Sequence, residues 1–298
     1  MVEKETRLES SSTIKSSSDW NLLTYLLIAL SLILLLVLYV PVFKWWYQQW
    51  TVKDSYYSHG FLIPPISAFI IYLKRKELRK LEIKPSTRGW LFIIPAGIIV
   101  LLSLWGEARS VAGLMFPIIL CGMVALLFGM QILRELLFPL LFLFFMCVIP
   151  SFLIAKISFK IQVLSTIGGT WLLKLFGFNA ERAGVIIYLP YITVEVGAPC
   201  SGFRLLISLF AFSTLFAYIK EGPLWGKLVL ISSTLPLSLV INSLRVAMIG
   251  MVGDLMGYEA MHTFHDYSGY IVLVFAFVFL SLLSRWVGCR KYSQMLYS

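Results

Sequence analysis

One cysteine in this chain has a setting that suggests chemistry. Cys200 lies in Gly197-Ala198-Pro199-Cys200-Ser201-Gly202-Phe203-Arg204, where a β-like, partly polar segment meets a long apolar helix. A thiol at a helix start is a candidate nucleophile, because N-terminal N–H groups favour the thiolate. The other cysteines, Cys121, Cys147 and Cys289, form no CxxC pair and no zinc-type spacing, and the first two lie in apolar runs as small hydrophobes do. Further along come Asn242 and Arg245, on one helix face, and then His262 and His265. A thiolate to attack a carbonyl, a histidine to move protons and an arginine to hold the oxyanion would make an acyl-transfer site.

Those residues must be brought together by the rest of the chain. Hydrophobic residues make up 59% of 298, and several apolar runs approach the ~20 residues needed to span a bilayer. This predicts an all-α polytopic membrane protein and excludes a soluble globular class. Residues 1–20 read as a disordered cytoplasmic tail, and 21–298 as a single transmembrane domain. Eight spans are expected, near 21–40, 60–73, 90–105, 111–129, 134–149, 203–219, 227–249 and 268–287. The net charge of +10 is spread along the chain, which marks cytoplasmic loops in a lipid bilayer and not a nucleic-acid site.

The basic loop Lys74 to Arg88 sets the orientation, with both termini in the cytoplasm. Ser151 to Phe176 carries Lys156, Lys160 and Lys174, so it is expected as an amphipathic helix on the outer surface. The nine tryptophans, Trp46 among them, are expected at the two interfaces. Val185–Tyr188 and Ile192–Val196 alternate as a small β-hairpin before the helix that follows Cys200. On this topology Cys200, Arg245 and His265 reach the same, outer membrane face from three consecutive helices, the histidines lying in a loop over 250–267.

Simpler roles exist for each residue. Arg245 could snorkel to headgroups, Asn242 could bridge helices, and His262 could be solvated. Arg204, at i+4 from Cys200, would lower the thiol pKa if that turn is helical. His59, in Tyr57-Ser58-His59-Gly60-Phe61, lies at the outer mouth of the second span. Met261-His262-Thr263-Phe264-His265-Asp266 lacks HExxH spacing, so no metal is expected, and no cofactor is called for.

The ordered set Ala198-Pro199-Cys200-Ser201-Gly202-Phe203-Arg204, Asn242-Ser243-Leu244-Arg245 and His265-Asp266-Tyr267-Ser268-Gly269 resembles the exosortase/archaeosortase family over roughly residues 50–287. That resemblance implies a multipass thiol transpeptidase or protease in the cytoplasmic membrane. Its partners would be membrane-tethered proteins with a C-terminal sorting signal: a Pro-Glu-Pro-type motif, a transmembrane helix and a basic tail. Cys200 would be the nucleophile, Arg245 the oxyanion-stabilising group and His265 the general acid/base, while His262 has no counterpart in the motif. Two other readings stand beside it, a polytopic transporter or flippase and a non-catalytic membrane assembly subunit.

Overall fold

A computed structural model describes residues 22–52, 55–197, 200–289 and 291–292. The tail 1–20, Ala198 and Pro199 lie outside the described residues. The chain is a helical bundle: α1 (Leu22–Thr51), a 3-10 turn (Ser58–Leu62) running into α2 (Ile63–Leu73), α3 (Arg75–Leu78), α4 (Trp90–Trp105), α5 (Arg109–Leu127), α6 (Met130–Phe142) and α7 (Ser151–Leu175). The strands β1 (Glu181–Ala183), β2 (Ile186–Tyr188) and β3 (Thr193–Glu195) come next. Then come α8 (Phe203–Ile219), β4 (Lys220–Glu221), α9 (Leu224–Ser232), α10 (Thr234–Met256), α11 (Tyr258–Trp286) and β5 (Lys291–Tyr292).

Among the described residues, six helical stretches are long and apolar enough to cross a membrane: Ile28–Thr51, Thr87–Trp105, Arg109–Leu127, Ser151–Leu175, Leu224–Met256 and Tyr258–Trp286. Ser58–Leu73 and Phe203–Ile219 are shorter apolar helices. The expected span at 134–149 is a 13-residue α6 followed by a 3-10 turn at Leu143–Met146. At ~1.5 Å per residue, that helix is about 20 Å long, less than the ~30 Å hydrocarbon core. Its partner is the equally short α2: Ser67 Oγ donates to Pro139 O at 2.9 Å, and Lys74 Nζ donates to Glu135 Oε2 at 2.7 Å.

The 151–176 segment differs from expectation in its surroundings. Its polar stripe does not face water. Ser158, Gln162, Ser165, Thr166 and Thr170 are buried, while Phe152, Phe159 and Trp171 point outward. Thr166 and Thr170 hydroxyls donate to Gln162 O and Thr166 O one turn back, so they enter the interior already satisfied. The lysines lie on the exposed flank. Small residues bring α7 against α10: a Cβ on Gly168 would lie 2.4 Å from Ser243 Oγ, and one on Gly169 2.6 Å from Val246 Cγ1. Further along, Leu173 meets Gly250, so the two helices run parallel.

Both ends of α7 attach to the half of the bundle that holds Cys200. At its start, Ile149 N–H donates to Tyr57 Oη at 3.0 Å, and Tyr56, within 3.4 Å of Ser158 Oγ, packs edge-on to Phe203. At its end stands the sheet, which packs on the last turns of α10, where Asp254 accepts from Tyr191 N–H at 2.9 Å. The sheet is antiparallel in the order β1-β2-β3, so a third strand joins the expected hairpin.

Trp46 departs from the interface belt. It is 1% exposed and stacked on Trp50 in the main core cluster. Trp105 and Trp286, at the ends of α4 and α11, are 89% and 88% exposed.

Candidate functional site

Cys200 sits just ahead of α8 and not inside it. Gly202 is the N-cap, with φ 82°, and the helix begins at Phe203. That left-handed turn overturns the condition on which Arg204 stood one helical turn from the thiol. The chain reverses here in a tight space: a Cβ on Gly202 would lie 2.8–3.0 Å from the Asn242 side chain. Gly202→Ala is therefore expected to combine a cost of roughly 1–2 kcal/mol for a left-handed L-residue with a clash that shifts Cys200. A fall of at least about tenfold in turnover, with the protein still inserted, is the expected result; a time course of substrate processing checks it.

Asn242 explains why the turn is held. It is 1% exposed, and its Nδ2 donates to Cys200 O at 2.9 Å. The residue that could have been a simple helix bridge thus fastens the Cys200 backbone to α10.

His265 lies on α11, not in a loop. The expected 250–267 loop contracts to Gly257, with φ 86°, between α10 and α11. Seated on that helix, His265 brings Nε2 into hydrogen-bond contact with Cys200 Sγ. Its Nδ1 lies 3.3 Å from Asp266 Oδ1. A carboxylate only accepts, so the proton sits on Nδ1 and the Nε2 lone pair faces the thiol. The row thiol, imidazole, carboxylate is the arrangement that activates a nucleophile through an oriented base.

Arg245 reaches the same group from α10. Its Nε donates to Ser268 Oγ at 2.9 Å, and its Nη2 donates to His265 O at 3.1 Å. Ser268 Oγ also donates to His265 O at 3.0 Å. The guanidinium thereby fixes the turn of α11 that carries His265. Ser268, to which the sequence alone gave no role, could have been found by its i+3 spacing from His265.

A cavity of about 810 Å³ opens on these groups. Arg204, Asn242, Arg245, His265 and Asp266 line it, and so does His59 on the far wall. His59 Nε2 is 3.2 Å from Phe145 O, and its Nδ1 is 3.5 Å from Ser208 Oγ. A carbonyl only accepts, so Nε2 carries the proton and Nδ1 accepts from Ser208. His262 is not part of the site; it is exposed, beside the Tyr258 ring. Among the described residues, no three of His, Cys, Asp and Glu gather as a metal site.

A family model described as transmembrane exosortase matches residues 45–282. The chain belongs to the transmembrane exosortase family. The match takes in every candidate residue of this exosortase from His59 to Asp266, and with it a multi-pass membrane protein is established. Neither a curated protein nor a solved structure matches the chain.

Proposed function

We propose that this exosortase is a membrane-embedded thiol transpeptidase or protease. It processes C-terminal sorting signals of exported, membrane-tethered proteins at the outer face of the cytoplasmic membrane, with both chain termini on the inner side. The observation that carries the reading is the contact of Cys200 Sγ with His265 Nε2, in a family whose members sort membrane proteins. The basic residues support the orientation: Lys74, Arg75, Lys227 and Arg285 lie at the ends of α2, α9 and α11 away from Cys200.

In the reaction, the Cys200 thiol gives its proton to His265 Nε2, and sulfur attacks the scissile carbonyl carbon. Negative charge moves to the carbonyl oxygen, where the Arg245 guanidinium stabilises it. The tetrahedral intermediate collapses as the C–N bond breaks. His265 returns the proton to the leaving amine, and a thioester remains on Cys200. Water or an amine acceptor, deprotonated by His265, then attacks the thioester and frees the sulfur. Asp266 holds the imidazole in the required tautomer throughout. A transporter would centre its polar groups on broken helices at the midplane, whereas here they converge on one thiol.

Alkylation tests this reading. Cys121, Cys147 and Cys289 are buried, and Cys200 is half-buried. A membrane-impermeant maleimide added from outside should label Cys200 and abolish processing of a co-expressed sorting-signal protein in step with labelling. Hydroxylamine should release a thioester-linked fragment from unlabelled enzyme. Undiminished processing after complete labelling overturns the reading.

A further inference from the structure

The cavity continues well beyond the reacting groups. Its floor is one face of α8, where Leu205, Ser208, Ala211 and Leu215 recur at three- and four-residue steps with Phe212 beside them. One wall comes from the 3-10 turn and α2, with Leu62, Ile63 and Ile66, and the other from α11, with Tyr270, Leu273 and Phe277. From Arg204 to Leu215 this floor is about 16 Å long at ~1.5 Å per residue, three turns of helix. Polar side chains crowd the Cys200 end, and apolar ones line the rest.

We propose that this groove between α2 and α11 seats the membrane-spanning helix of the protein substrate, with α8 as its floor. The proposal deepens the reading above and rests on it. Three observations select a helix as the occupant. The groove is lined by Gly202 and by His265, whose Nε2 contacts Cys200 Sγ, so a chain held at that thiol by its scissile carbonyl runs on into the apolar part. A peptide entering that depth must be helical, because its N–H and C=O groups find no water. The centre of the floor is small, Ser208 and Ala211, and lets a second backbone approach closely, while the aromatic and branched walls supply the lateral packing. The rims are uncovered as well: Leu62 is 62% and Tyr270 73% exposed.

The test is site-specific photo-cross-linking in full-length protein carrying Cys200→Ala, so that the substrate stays uncut. A benzophenone amino acid replaces Leu273 in the wall, Leu62 on the rim, or Leu101, a 60% exposed residue of α4. The probe is a co-expressed protein tethered by one C-terminal apolar helix. Substrate adducts at Leu273 and Leu62, at least tenfold above Leu101, are expected. Equal yields at all three positions, or adducts to lipid alone, overturn the proposal. Thioester release by hydroxylamine from the wild type separates the two ideas: thioester without groove adducts removes the groove and keeps the thiol chemistry, whereas no thioester removes the chemistry itself.

Discussion

Cys200→Ala is expected to lower processing of a tethered substrate by roughly 10⁴-fold or more, the scale on which an enzyme loses its nucleophile. The substitution removes one half-buried sulfur and leaves the backbone alone. Cys200 O still accepts from Asn242 Nδ2, and Gly202 still turns the chain into α8. Stability should therefore change by no more than ~0.5 kcal/mol, as for substitutions outside the core. That separates lost chemistry from lost fold. Cys200→Ser should be nearly as poor, since an alkoxide is far harder to form than a thiolate with the same imidazole as base. Immunoblots of processed and unprocessed substrate, with a thermal melt of each purified variant, check both expectations. Cys200→Ala processing at the wild-type rate would remove the thiol from the mechanism.

The second large effect belongs to Arg245, and the informative change is Arg245→Lys. A charge alone would survive that change. The fork that spans Ser268 Oγ and His265 O would not, because an ammonium on a flexible stem cannot hold both acceptors and still face the cavity. The expected loss is about 10²–10³-fold in kcat, or ~2.7–4 kcal/mol of transition-state stabilisation, with KM little changed. Arg245→Met should be no better. Single-turnover assays with saturating substrate measure it. If Arg245→Lys kept the full rate, the arginine would be a headgroup anchor, as its place near a helix end first allowed.

The trio was legible because helix periodicity and lysine placement send three consecutive helices to one face, whatever their packing. What sequence could not show was which neighbour covers each polar side chain. Thr166 and Thr170 count as polar in any hydropathy sum. Yet hydroxyls bonded to their own helix and glycines beside Ser243 turn that stripe into a packing face. Trp46 misled in the opposite sense, because amphipathic character suits an interface and a core equally. The loop drawn over 250–267 failed because the apolar runs stop at 249 and resume at 268, although one glycine at φ 86° was enough to end α10 and start α11. Asp266 and Asn242 were named without partners, and only three-dimensional placement gave them a histidine and a carbonyl to hold.

That single-residue corner at Gly257 has a consequence for how the enzyme can vary. Arg245 and His265 are separated by 20 positions, all helical except the corner. Each inserted residue would rotate the downstream helix by about 100° around the α11 axis. The spacing between arginine and histidine therefore behaves as a fixed gauge, with no slack in which a length change can be absorbed. The turns at the opposite end of α8 and α11 carry no such phase. Evolutionary drift in chain length is free to accumulate there, while the α10–α11 corner keeps count.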